Sequence, residues 1–148
     1  MKRYQFRLER LLEIRKYREL EWELKLAAVT GECVRLKNEI DEMDISRRMT
    51  LAQRFDIAGL DMAYLTASEH YMRRLDAHTR ADQQALIEKE RERDRVREDY
   101  LSVSRDRKVL DSLKEKRAAV YRREQLKEEI LQVDDMSGST NAWKSEHR

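Results

Sequence analysis

Proline is absent from this 148-residue chain, and glycine occurs only at Gly31, Gly59 and Gly138. These are the two residue types that most strongly interrupt helices, so long uninterrupted helices are possible. Aromatic residues are scarce at 7%, while charged residues reach 42%. Chains of this kind with a 3.5-residue apolar repeat form long helices in place of compact globules. Such a helix buries a narrow seam, which leaves little interior for a water-excluding catalytic pocket. Cys33 is the only cysteine, so no intrachain disulfide can form and a reducing compartment is favoured. No apolar run approaches the roughly 18–20 residues that cross a bilayer, and the basic first turns lack the apolar core of a signal peptide. The expectation is a soluble, cytoplasmic protein that does not insert into membrane.

Charge of one sign is also lacking overall: 32 basic residues face 30 acidic ones, for a formal net charge of +2. Non-specific nucleic-acid binding needs clustered, unmatched Lys and Arg, so no nucleic-acid partner is expected. The first twenty residues lean basic, with Lys2, Arg3, Arg7, Arg10, Arg15, Lys16 and Arg18 against Glu9, Glu13 and Glu19. A solvated helix face explains them better than contact with phosphate or anionic lipid. Catalytic and ligand signatures are missing as well. There is no glycine-rich phosphate loop and no metal-type Cys and His spacing. His70 and His78 lie two helical turns apart, too far to share one metal ion. The reading is a protein that is not an enzyme and has no cofactor.

What the chain does have is a seam. Trp22, Leu26, Val29, Cys33, Leu36, Ile40 and Met43 recur in alternating steps of four and three, the a/d rhythm of a coiled coil. Phe6, Leu8, Leu11, Leu12 and Ile14 open the same helix. The one plausible turn is Ile57-Ala58-Gly59-Leu60-Asp61, with Gly59 suited to a left-handed position after the helix and Asp61 to an N-cap. A second helix follows, with a looser stripe of Leu65, Met72, Leu75, Leu86, Val96, Tyr100, Val103 and Leu110. The fold class predicted is all-α, a long antiparallel two-helix coiled-coil hairpin over residues 1–133. Its parts are a helix over 5–57, a turn over 58–61, a helix over 62–133 and a disordered tail over 134–148.

Two helices joined by a short turn fold back on each other. With the turn centred near Gly59, residue i on the first arm faces roughly residue 119 − i on the second. Phe6, Leu8 and Leu11 then meet Leu110 and Leu113, and Trp22 meets Val96. Val29 to Ile40, however, meet a stretch in which Leu86 and Ile87 are the only large apolar residues. The second arm also overshoots the first from Arg117 onward, carrying Ala118, Val120, Tyr121, Leu126, Ile130 and Leu131. Both the ill-matched seam and the overhang read as surfaces for another protein. Tyr64, Tyr71 and Leu75, with His78 on the same face, read as hairpin core or as a docking face.

The opening run Lys2-Arg3-Tyr4-Gln5-Phe6-Arg7-Leu8-Glu9-Arg10-Leu11-Leu12 resembles that of the flagellar export protein FliJ: basic residues, then aromatic-x-Leu-x-x-Leu-Leu. Lys108-Val109-Leu110-Asp111-Ser112-Leu113-Lys114-Glu115-Lys116-Arg117, followed by Tyr121, is similar to the family's other recurring segment. The resemblance implies an antiparallel coiled coil like the central stalk of rotary ATPases. It implies a non-enzymatic partner of the export ATPase ring, of the export gate and of export chaperones. It places the protein in the cytoplasm, peripheral to the inner membrane at the flagellar basal body. Residue by residue, the gate-contacting stripe of the family is similar to Tyr71, Leu75 and His78, with His78 where the family carries a small residue and Asp82 where it carries histidine. The first-arm stripe is similar to Leu36, Ile40, Met43 and Arg47. The overhang residues Val120, Tyr121, Leu126 and Ile130 are the expected ring contact. Alternatives are a purely structural homodimeric coiled coil, joined through the Trp22–Met43 seam, and the injectisome counterpart of the same family.

Overall fold

The structure, a computed structural model, describes residues 4–56 and 61–146, with side chains described up to Arg54 and from Asp61 to Met136. Two helices carry the chain: α1, Glu9–Asp56, and α2, Met62–Glu146. The all-α hairpin expected from the seam is what forms, and among the described residues there is no strand. Glu9 in the first turn of α1 and Arg54 in its last turn each oppose the helix dipole charge at their own end. Asp61 caps α2 as its position predicted: its Oδ1 accepts from the backbone N–H of Ala63 at 3.0 Å and of Tyr64 at 3.4 Å. The expected left-handed Gly59 lies outside the described residues.

The helix ends differ from expectation. α1 begins at Glu9 and not at residue 5. The backbone N–H of Glu9 donates to the Phe6 carbonyl at 3.1 Å, which turns the preceding segment inward and buries the Phe6 side chain. α2 does not stop at 133 but is helical to Glu146. Without proline, only Gly138 opposes continuation, and one glycine costs about 1 kcal/mol in a helix.

Contacts divide the chain into two units, one of Met1–Arg18 with Ser104–Arg148 and one of Glu19–Val103. In the first, Phe6, Leu12 and Ser104 are buried, with Leu12 at 0% exposure. Leu11, expected to meet Leu110 and Leu113, is instead exposed. The Tyr4 hydroxyl donates to the Lys114 carbonyl at 3.2 Å, and Lys114 Nζ donates to Glu9 Oε1 at 2.7 Å. Arg15 pairs with Asp106 at 2.9 Å. In the second unit Cys33, Leu36, Ser68 and Met72 are buried. Trp22 and Val96 are half-buried, and Lys25 Nζ lies 4.5 Å from the Trp22 ring centroid. The arms are joined by Lys37–Glu90 at 3.0 Å, Arg47–Asp76 at 3.4 Å and Arg54–Glu69 at 2.9 Å.

These pairs correct the register. Glu9 reaches Lys114, Arg47 reaches Asp76 and Arg54 reaches Glu69, each about one helical turn further along α2 than 119 − i places it. The cause is side-chain direction. Helical side chains lean toward the N-terminus of their own helix. In an antiparallel pair, those of α1 therefore lean away from the turn and those of α2 lean toward it. The two offsets add, so the side chains that touch lie further along α2 than an axial count places them.

Candidate partner-binding surfaces

The first-arm stripe is mostly interior. Leu36 is 6% exposed and Cys33 2%, while Ile40 and Met43 are half-buried and Arg47 is exposed. Met43 Sδ accepts from Thr79 Oγ1 at 3.4 Å, and Arg47 is held by Asp76. The expectation that this part of the seam has only weak internal partners fails at Leu36, which is buried. Long charged side chains lie near the seam. Lys89 and Arg93 are half-buried and lie within electrostatic reach of Cys33. Their aliphatic stems can roof the seam while their charged ends reach water. Lys89 donates to Glu92 at 2.7 Å and Arg93 to Asp94 at 3.0 Å. A periodicity that scores only apolar residues takes no account of such stems.

Beside Leu36 lies a shallow groove of about 290 Å³ whose lining includes Glu32, Arg35, Glu88 and Lys89. Arg35 joins Glu32 at 2.9 Å and Glu39 at 2.6 Å. The Arg35 hydrogen bond holds the Glu32 carboxyl below its ordinary value, and the two carboxylates raise Arg35. The groove's charges are thus largely paired.

On α2, Tyr71 is 39% exposed, Leu75 half-buried and His78 exposed. Steps of four and three put the three on one side of the helix. Met72, one position on, is buried, so this row flanks the core and keeps an open edge. Asp82 continues it half-buried. Near the start of α2 there is also a polar knot that the sequence did not announce. Arg54 Nε donates to Ser68 Oγ at 2.8 Å, and the Arg54 guanidinium binds Glu69, which also accepts from Arg73. Hydrogen bonds from Arg54, then Arg73, lower the Glu69 carboxyl.

At the far end, intramolecular cover reaches beyond Arg117. Ala118, Tyr121 and Gln125 are half-buried, Tyr4 and Tyr121 are in ring contact, and Gln125 Nε2 donates to the Tyr121 hydroxyl at 3.1 Å. Val120 is exposed, and beyond Gln125 so are Leu126 at 58%, Ile130 at 60%, Leu131, Val133 and Met136. The exposed apolar run of the overhang therefore begins after Gln125. Tyr121 belongs partly to the hairpin, while Val120, Leu126 and Ile130 face outward.

No described helix is long and apolar enough to cross a membrane, and among the described residues no group of three His, Cys, Asp or Glu could hold a metal ion. The described residues form two long helices and present their faces, which defines an all-α helical-hairpin protein. The chain belongs to the flagellar FliJ protein family, which it matches over residues 4–145. It is thereby a component associated with flagellar protein export, from a family that is not enzymatic. No curated protein and no solved structure matches it.

Proposed function

We propose that this chain is the stalk and chaperone-escort component of the flagellar type III export apparatus, binding the export ATPase, promoting assembly of its ring and coupling it to the export gate. It would act in the cytoplasm, peripheral to the inner membrane at the basal body. The observation that carries this reading is the run of exposed apolar residues on α2 past the last cover from the N-terminal segment: Leu126, Ile130, Leu131 and Val133. A lone amphipathic helix of this length is marginal in water, so a partner surface is its natural complement. Val120, Leu126 and Ile130 then contact the ring, and Tyr121 sets the angle at which the overhang leaves the hairpin. The open edge of Tyr71, Leu75 and His78 faces the gate. On the first arm, Arg47 and the exposed edges of Ile40 and Met43 are what a partner can touch, whereas Leu36 stays inside.

The test is a chain ended after Gln125, which keeps the Tyr4–Tyr121 contact. It is expected to retain the helical signal per residue of the hairpin and to lose stimulation of the export ATPase. Undiminished stimulation by the shortened chain would remove the overhang from the mechanism.

A further inference from the structure

The near-neutral total hides a face of one sign. In the unit formed by residues 1–18 and 104–148, α2 turns Arg107, Leu110, Lys114, Ala118, Tyr121 and Gln125 inward, all half-buried. Opposite that row, Arg105, Lys108, Ser112, Lys116, Ala119, Arg123, Lys127 and Ile130 follow one another in steps of three and four, and all are exposed. With 3.6 residues per turn, this row stays within about 60° of a single line down the helix. Val109 and Val120 lie in the same sector and are exposed. Five of these residues are basic and none is acidic, while Asp106, Asp111, Glu115, Glu124, Glu128 and Glu129 fall outside the sector. None of the five cations is in a salt bridge with a described residue, although Asp106 and Asp111 have cationic partners in Arg15 and Arg107. Arg105, Lys108 and Lys116 rim a groove of about 630 Å³ whose lining includes Val109 and Leu113.

We infer that this outward face of α2, from Arg105 to Ile130, is an adsorption site for an anionic lipid surface. Arg105 and Lys127 are about 33 Å apart along the helix at 1.5 Å per residue, and a plane laid on the helix meets all five cations together. A juxtamembrane basic residue is worth about a fivefold gain in binding to an acidic leaflet. Val109, Val120 and Ile130 between the cations can enter the boundary between headgroups and acyl chains, the arrangement of a helix lying in the membrane plane. A polynucleotide gains nothing from these aliphatic residues, and the row offers no aromatic ring on which a base could stack. The face crosses no bilayer; it rests on one. Val120 and Ile130 are shared with the ring contact proposed above, so ring and lipid would hold this face in turn; the test contains no ATPase, so either reading can fail without the other.

The experiment is co-sedimentation of the full chain with vesicles of phosphatidylcholine alone and with one third phosphatidylglycerol. Binding to the acidic vesicles only, lost at high salt, is expected. Lys116→Glu with Arg123→Glu should lower it by about thirtyfold or more, with unchanged helicity. Lys16→Glu with Arg18→Glu, which changes net charge equally near the N-terminus, should leave most of it. No binding to acidic vesicles at low salt overturns the inference, as does equal binding to neutral ones. An equal loss in both double variants also overturns it, reducing the effect to net charge. Tighter retention by single-stranded RNA than by acidic vesicles would reassign the face to a polynucleotide.

Discussion

The rings of Tyr4 and Tyr121 lie 5.5 Å apart between centroids, tilted by 39°. A pair in this geometry adds about 0.5–1.5 kcal/mol beyond the area it buries, and it clasps the N-terminal segment to α2. Past Gln125, the described residues Leu126, Ile130, Leu131 and Val133 are exposed on α2.

Burial of Leu36 makes a sharp distinction between neighbours. Leu36→Ala should cost about 2 kcal/mol or more, as expected for a buried leucine. Val34→Ala, two residues away at an exposed position, should change stability by less than about 0.5 kcal/mol beyond helix propensity. Urea unfolding followed by circular dichroism measures both. Equal, small effects would return Leu36 to the surface.

Gly31 sits in the interior of α1, and a Cβ built there would meet nothing within 4 Å. Gly31→Ala therefore removes a propensity penalty without a clash and should stabilise by about 1 kcal/mol. For a chain of this size that raises the melting temperature by about 2–4 °C. A lower melting temperature would mean that the glycine serves a bend.

The legible part of this molecule was its periodicity. Trp22 to Met43 announced a helix and a seam, and Asp61 announced where the second helix starts. Three things were not legible. Register depended on the lean of side chains, which Arg47–Asp76 and Arg54–Glu69 reveal only in three dimensions. Lys89 and Arg93 are half-buried near Cys33, although a count of apolar positions treats them as solvent-facing. The basic face of α2 was hidden because its acids are segregated to other sides of the same helix, leaving the total near zero.

Acid should loosen the ends of the arms nearest the turn. The Glu69 carboxyl is held below its ordinary 4.5 by hydrogen bonds from Arg54 and Arg73. A depressed carboxylate contributes stability that is present above its unfolded value and lost as pH falls through the lower folded one. Melting temperature should therefore decline below about pH 4.5, modestly because the group is exposed. Arg54→Gln should flatten that decline. Lys114, raised by Glu9, runs the other way: its contribution is present below 10.5 and fades as pH rises beyond that. A melting curve that Arg54→Gln leaves unchanged in acid would release Glu69 from this role.

Each unit buries few of its described side chains: Phe6, Leu12 and Ser104 in one, and Cys33, Leu36, Ser68 and Met72 in the other. Damage in such an arrangement stays where it is made, much as in linear repeat proteins, whose stability is a sum of neighbour terms. Opening then proceeds like a zipper, from a free end inward, and amide exchange should be graded by distance from that end instead of vanishing all at once.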